Sequence, residues 1–147
     1  MSELALERTQ VVPAGLDSAF EFFADPKNLA EITPPWLHFR IDGAPERAAR
    51  GALIRYRLRI KGLPVRWLTE ITEWHPPHTF TDVQLSGPYR SWEHTHRLTA
   101  IAGGTEIYDH VRYRVPGGTT VDRLVVRPLL DEIFDYRRAR IAQLFDA

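Results

Sequence analysis

Alternation of apolar and polar residues predicts β-strands through the middle of the chain. The clearest case runs from residue 53 to 61, where a basic row alternates with Ile54, Tyr56, Leu58 and Ile60. This period of two is typical of a strand that buries one face and exposes the other. Similar patterns, bounded by turns rich in glycine and proline, predict strands at residues 4–12, 65–74, 79–85, 91–101 and 105–115.

Helical patterns occur after the first predicted strand and at the end of the sequence. Residues 16–24 predict a short helix, and Asp25 and Pro26 predict the start of a second, because aspartate caps free amides and proline suits the first helical position. From Val121 onward, apolar residues at helical spacing predict one long amphipathic helix, bent or begun at Pro128. Its basic residues are expected to form surface ion pairs, among them Arg137, Arg138 and Arg140.

This order of elements predicts an α+β fold. We expect one domain, residues 1–147, in which a curved antiparallel sheet of about six or seven strands wraps on the long C-terminal helix. The two short helices after the first strand would close one end of it. A strongly curved sheet pressed onto a single helix does not close completely, so an internal cavity is expected.

Three stretches of the sequence resemble a known superfamily. They are FEFFADPKNL at residues 20–29 with ITPP at 32–35, DVQLSGPYRSWEHTH at 82–96, and DHVRYRVP at 109–116. With the element order, they resemble the helix-grip superfamily of START lipid-transfer domains, pollen-allergen-like proteins and polyketide cyclases (SRPBCC), and within it a bacterial ligand-binding branch. The resemblance covers essentially the whole chain and implies the helix-grip fold. Similar domains occur alone or joined to sugar-nucleotide-epimerase-like reductases.

The densest group of polar and aromatic side chains lies on the last two predicted strands. Side chains two apart on a strand share a face, so Trp92, His94 and His96 point the same way, as do Asp109 and Tyr113 on the partner strand. The opposite faces of both strands carry charged residues that suit solvent. We therefore expect two imidazoles, a carboxylate and a phenol to face inward among apolar side chains.

The turn between these strands suggests a register for the hairpin. If Gly103 and Gly104 are the two central turn residues, His94 lies opposite Tyr113 and Leu98 lies opposite Asp109.

The inward-facing His94, His96 and Asp109 allow several interpretations. They form a structural hydrogen-bonded network, or a polar patch that orients a ligand oxygen in an apolar pocket. A histidine beside an aspartate also serves as a general acid or base. Two histidines and one carboxylate are a known metal set, but no third imidazole lies at a fitting position. We therefore predict no metal site and treat these three residues as the catalytic candidates.

Further residues extend the predicted pocket wall. Trp67 and Gln84 lie on the inward faces of neighbouring strands, and Tyr89 follows a Gly-Pro turn at the mouth of the cavity. The alternatives are that Trp67 is ordinary core and that Tyr89 packs a corner. The predicted ligand-binding residues are Trp67, Gln84, Tyr89, Trp92, His94, His96, Asp109 and Tyr113.

Composition narrows the classes of function. The 147 residues include 19 basic and 19 acidic residues and no cysteine. Zero net charge disfavours nucleic acid as a partner, and the lack of cysteine excludes disulfides and thiolate chemistry and suits a reducing cytoplasm. No apolar run is long enough for a membrane span, no signal peptide is evident, and no phosphate loop or dinucleotide fingerprint indicates a cofactor.

These observations predict a cytoplasmic protein that holds a small hydrophobic molecule, lipid-like or aromatic, as a carrier or sensor. One alternative is an enzyme of the polyketide cyclase or dehydratase kind that uses a pocket histidine. Another is an interaction module for a reductase-like protein partner. Fold alone does not decide between them, because the superfamily contains carriers, receptors and cyclases.

Overall fold

The computed structural model describes residues 2–146. It contains seven strands: β1 (Leu4–Val12), β2 (Arg40–Gly43), β3 (Leu53–Ile60), β4 (Leu63–His75), β5 (Thr79–Ser86), β6 (Ser91–Ile101) and β7 (Gly104–Arg114). Between β1 and β2 lie α1 (Leu16–Ala24), α2 (Lys27–Glu31) and a 3₁₀ turn (Pro35–Leu37). The C-terminal helix consists of α3 (Gly118–Val121), a π-helical turn (Asp122–Val126) and α4 (Arg127–Phe145), without a break.

The strands form one antiparallel sheet in the order β1-β7-β6-β5-β4-β3-β2. This sheet, the two short helices and the long C-terminal helix confirm the predicted helix-grip fold. Strand β2 is the element that the sequence pattern did not predict. It has four residues, and its pairing with β3 shifts register between Ile41 and Gly43, so it is too short and too irregular to show a period of two.

The register predicted for the β6–β7 hairpin is wrong by two residues. Ala102 and Gly103 occupy the turn, and Ile101 pairs with Gly104. Gly103 has φ of +82°, a conformation that glycine adopts without strain. The second glycine of the predicted turn therefore belongs to β7.

The shift changes the pairs but not the faces. Tyr113 pairs with Trp92 rather than with His94, and Asp109 pairs with His96. Because side chains alternate with a period of two, a slip of two residues returns each one to the predicted side of the sheet.

The sheet bends along β4, its longest strand. The pairing of β4 with β5 shifts register between Leu68 and Thr69 and again between Ile71 and Glu73. Bulges of this kind bend a strand and increase its twist. The resulting concave face is directed towards the helices.

The C-terminal helix packs along β1, at one edge of the sheet. Arg8 Nη2 donates to Asp131 Oδ1 at 2.7 Å, and Gln10 Nε2 donates to the carbonyl oxygen of Arg138 at 2.7 Å. The helix is thus anchored at the edge that lies farthest from β2 and β3.

The helix begins at Gly118, three residues before the predicted start, and its regular α-helical part begins next to Pro128, as predicted. The π-helical turn ends at Val126, two residues before this proline, which has no N–H with which to complete an α-helical hydrogen bond. Asp122 in the π turn is buried and accepts a hydrogen bond of 2.8 Å from the Tyr113 hydroxyl.

The core has two parts. One surrounds Phe20, Ile71 and Phe80, and the other contains Tyr113 and Phe134. Members of both groups line the space between the sheet and the C-terminal helix, so neither group fills that space.

Within residues 2–146, no helix combines the length and the apolar character that crossing a bilayer would require.

We predict that Tyr113→Phe lowers the free energy of unfolding by about 1.5–3 kcal/mol, because it leaves the buried Asp122 carboxylate without its hydroxyl donor. Tyr136→Phe is the matched control, since no hydrogen bond of its hydroxyl is observed in the described chain. Urea denaturation measures both. Equal stability of the two variants would show that the Tyr113–Asp122 contact does not stabilise the fold.

Candidate functional site

A partly open cavity of about 200 Å³ lies between the concave face of the sheet and the helices. Strands β3 to β6, helices α1, α2 and α4, and the loops before and after β2 contribute to its walls. The lining is mostly apolar, and much of it is aromatic: Phe22, Phe23, Phe39, Tyr56, Trp67, Phe80, Tyr89, Trp92 and Phe134.

Four of these rings form an aromatic corner: Tyr56, Trp67, Tyr89 and Trp92. The rings of Trp67 and Trp92 are nearly perpendicular with centroids 5.4 Å apart, and Tyr56 stacks on Trp67 at 5.6 Å. The Gln84 side chain holds the backbone of Tyr89, donating to its carbonyl oxygen at 2.8 Å and accepting from its N–H at 3.0 Å. This arrangement gives one end of the cavity a fixed shape.

A charge cluster, defined here as Asp82, His94, His96, Asp109 and Arg137, lies at another part of the wall, where all but Asp109 line the cavity. The rings of His94 and His96 stack with centroids 3.7 Å apart, and Phe80 stacks on the far side of His96 at 3.9 Å. His96 Nε2 donates to Asp82 Oδ2 at 2.7 Å.

Asp109 links the histidines to the C-terminal helix. Its Oδ1 accepts from His94 Nε2 at 2.8 Å and from Arg137 Nη2 at 3.1 Å, and it lies 3.4 Å from His96 Nδ1. Arg137 also lies over the rings of Phe23 and Phe134. These contacts hold a carboxylate and a guanidinium that are each less than one-tenth exposed.

Both carboxylates of the cluster remain ionised. Burial alone would raise the pKa of Asp109, but the charge of Arg137 and the hydrogen bonds from the histidines outweigh it and hold that pKa well below its usual value. Burial opposes ionisation of Asp82 as well, yet its hydrogen bond with His96 and the nearby positive charge lower its pKa.

The two histidines differ in charge. Burial would lower the pKa of His96, but its contacts with Asp109 and Asp82 outweigh burial and raise that pKa. Burial and the charge on His96 lower the pKa of His94 by more than Asp109 raises it. Between the two rings, a proton is therefore favoured on His96, where with Arg137 it would balance the two carboxylates, and disfavoured on His94.

Three members of the cluster match a familiar metal-ligand set. Donor atoms of Asp82, His94 and His96 lie within 4.8 Å of one another, and two histidines with one carboxylate bind several transition metals. The absence of a metal site stays a prediction.

Five predicted site residues line the cavity: Trp67, Tyr89, Trp92, His94 and His96. Whether they contact a ligand stays a prediction.

The other three predicted residues lie behind the wall. Gln84 is engaged with the backbone of Tyr89, and Tyr113 is fully buried with its hydroxyl on Asp122. Asp109 forms a second layer behind His94. These three are not among the residues that line the cavity, and their polar groups are engaged with neighbouring side chains or backbone, so their contact with a ligand stays a prediction.

Two members of the charge cluster that line the cavity, Asp82 and Arg137, were not among the predicted site residues. Arg137 was expected in a surface ion pair, but it is 7% exposed. The signal was available, because the buried positions of α4 are Leu130, Phe134, Arg137 and Ile141, at helical spacing. An arginine on an apolar helical stripe predicts a buried acidic partner.

The sequence itself places the chain among known proteins. Residues 3–145 match the family described as "Polyketide cyclase / dehydrase and lipid transport". The chain belongs to this family. The predicted resemblance to the SRPBCC superfamily is thereby confirmed, and members of this superfamily generally bind hydrophobic ligands. A comparison with curated proteins finds no match.

Solved structures share the fold at low sequence identity. Protein Ms6760 from Mycobacterium smegmatis is 19% identical, with a TM-score of 0.72 over 96% of this chain and 90% of that one. Ginseng major latex-like protein 151 from Panax ginseng is 13% identical, with a TM-score of 0.71 over 97% of both chains. A nucleoside-diphosphate sugar epimerase from Corynebacterium glutamicum is 22% identical, with a TM-score of 0.68 over 94% of this chain and 28% of that one.

We predict that Arg137→Met lowers the free energy of unfolding by about 3–5 kcal/mol, because it leaves the buried Asp109 carboxylate without its guanidinium partner. Arg138→Met, at the next and exposed position of α4, is expected to cost less than about 1 kcal/mol. Chemical denaturation at pH 7 compares the two. Similar losses for both variants would contradict a stabilising role for the buried contact.

The raised pKa of His96 predicts a pH dependence of stability. A protonated His96 stabilises the fold fully below the pKa of an unfolded histidine, about 6.5, and this contribution is lost as pH rises through the higher folded value. We expect the free energy of unfolding to fall more steeply between pH 6 and 9 in the wild type than in His96→Gln. Urea denaturation tests this, with His78→Gln in an exposed turn as control. Parallel pH profiles of wild type and His96→Gln would refute the assignment.

Proposed function

We propose that the protein binds a small apolar molecule that contains at least one ring, and that it acts as a non-catalytic carrier or sensor. The observation that carries the proposal is the cavity itself, whose aromatic lining leaves about 200 Å³ unfilled in a fold with two packed core regions. Protein interiors rarely contain an unfilled space of this size without a function, because the side chains around it lose packing contacts.

The volume of the cavity limits the size of the ligand. An engineered apolar cavity of about 150 Å³ holds benzene, so about 200 Å³ suits one substituted ring or a small fused pair. Affinity would come mainly from apolar area removed from water, at about 25 cal/mol per Å² before the cost of association. The aromatic corner provides flat surfaces on which a ring packs edge to face or in an offset stack.

A catalytic function is the second candidate, because His94 lines the cavity and is oriented by Asp109. In a cyclase- or dehydratase-like reaction, a neutral His94 would remove a proton from a substrate held in the cavity. His96 is less suited, since Asp82 and Asp109 face its two nitrogens. Once a substrate is identified, we expect the His94→Gln variant to lose turnover while it remains folded.

A role as an interaction module is favoured by one comparison. The Corynebacterium glutamicum epimerase contains this fold within 28% of a much longer chain, so a helix-grip unit and an epimerase occur there in one protein. A separate reductase-like partner of the present chain would co-purify with it from the native cell, and absence of such a partner would remove this candidate.

We predict that ethylbenzene and naphthalene bind saturably and that Ile60→Trp weakens both by at least tenfold. Ile60 is half-buried on the cavity wall, so a larger ring there occupies the ligand volume. Ile101→Trp is the matched control, because Ile101 is 40% exposed and does not line the cavity. Isothermal titration calorimetry measures the affinities, and native mass spectrometry of the purified protein detects a retained guest.

The proposal fails if neither compound binds saturably and no guest is retained. It also fails if Ile60→Trp and Ile101→Trp bind the compounds equally well, because binding would then lie outside the cavity.

A further inference from the structure

We propose that the ligand carries a hydroxyl or N–H group and that this group donates a hydrogen bond to His94 Nδ1. The inference rests on the proposed ligand-binding function and specifies the chemical class: a compact ring with a hydrogen-bond donor, such as a phenol or an indole. It follows from the contacts around His94, a residue of the cavity wall, which leave one of its two nitrogens with a free lone pair.

The contact with Asp109 determines the position of the proton on His94. His94 Nε2 lies 2.8 Å from Asp109 Oδ1, and a carboxylate accepts hydrogen bonds but donates none. Nε2 therefore carries the hydrogen. In a neutral imidazole the other nitrogen then has a free lone pair and is an acceptor.

Two neighbours keep His94 in this state. Arg137 Nη2 donates to the same oxygen of Asp109 at 3.1 Å, so the carboxylate stays ionised and fixed in position. The ring of His96 is stacked on that of His94 at 3.7 Å and lies between two carboxylates, with Nε2 2.7 Å from Asp82 and Nδ1 3.4 Å from Asp109. Because His96 holds a proton there, a second proton on His94 would place two positive rings face to face.

Nδ1 of His94 is left without a partner. No hydrogen bond to this atom is formed by residues 2–146, and it is not among the fully enclosed polar atoms of the wall. By contrast, His96 Nδ1, Arg137 Nε and Trp67 Nε1 are enclosed and out of reach of a ligand. Nδ1 thus offers its lone pair to whatever occupies the cavity, in a wall to which His94 contributes.

An unpaired acceptor in an apolar site discriminates between ligands. A hydrocarbon that displaces water from Nδ1 leaves the lone pair unsatisfied, whereas a hydroxyl replaces the lost hydrogen bond. Sites built around such a polar atom discriminate strongly against analogues that lack the matching group.

The test compares isosteric ligands on the wild-type protein. Isothermal titration calorimetry at pH 7.5 measures 4-ethylphenol, 4-ethylanisole and ethylbenzene, and separately indole and benzofuran. We expect 4-ethylphenol to bind at least tenfold more tightly than the ether and the hydrocarbon, and indole at least tenfold more tightly than benzofuran. Equal binding within both series would overturn this inference and leave the proposed function intact, whereas no binding by any compound would remove the proposed function itself.

A variant assigns the preference to His94. His94→Phe keeps a ring in the stack but removes the acceptor, so 4-ethylphenol should bind it no better than ethylbenzene does. His78→Phe, in an exposed turn, should keep the wild-type preference. A preference for the phenol that persists in His94→Phe would overturn the assignment to Nδ1.

A measurement on the wild type covers the case in which His94→Phe does not fold. Long-range ¹H–¹⁵N correlation spectra of protein with labelled histidine report the tautomer of each ring. We expect His94 to carry hydrogen on Nε2 and its Nδ1 resonance to shift on addition of 4-ethylphenol but not of ethylbenzene. Hydrogen on Nδ1, or no selective shift, would refute the inference.

Discussion

The buried contact between Asp109 and Arg137 is the interaction on which the rest of the site depends. It joins the centre of β7 to the middle of α4 across the interior. Removing two charges from water costs several kcal/mol each, which their attraction offsets only when hydrogen bonds satisfy the remaining polar atoms. Here His94 supplies one such bond to Asp109, so the contact that ties helix to sheet also orients the imidazole at the cavity wall.

The cavity results from two features acting together. The helix is anchored to β1 at one edge of the sheet, while the bulges in β4 bend the other half of the sheet. Without the bend, the sheet would pack directly against the helix. With the helix over the centre of the sheet, its side chains would fill the concave space. Because the charge cluster lies where β5, β6 and β7 meet α4, the cavity has a polar patch on one wall and aromatic rings on much of the rest.

Much of this arrangement could be predicted from the sequence, because it depends on periodicity. Alternation placed Trp92, His94 and His96 on the inward face, and that prediction survived a register error of two residues, since such a slip preserves faces. The identity of partners could not be predicted in the same way. Whether Tyr113 meets a ligand or Asp122 depends on where the C-terminal helix begins, and helix boundaries are weakly encoded.

Arg137 illustrates a different limit. The charge of a guanidinium favours the surface, and a surface ion pair was predicted, whereas the helical spacing of this position from Leu130, Phe134 and Ile141 places it in the core. The spacing was correct because Asp109, 28 residues away in the sequence, supplies the partner that makes burial of a guanidinium tolerable. The short, irregular strand β2 could not be predicted from the sequence for another reason, since four residues do not establish an alternating pattern.

The balance of charge behind the wall has a consequence for what the cavity admits. Asp82 and Asp109 face Arg137 and His96, whose raised pKa favours a proton there, so a neutralised cluster has no surplus of either sign to offer an ion. A guest that loses or gains a proton in solution must therefore return to its uncharged form before it enters. Occupancy would then follow the guest's own ionisation equilibrium, and acids or amines that are charged near neutrality would stay outside.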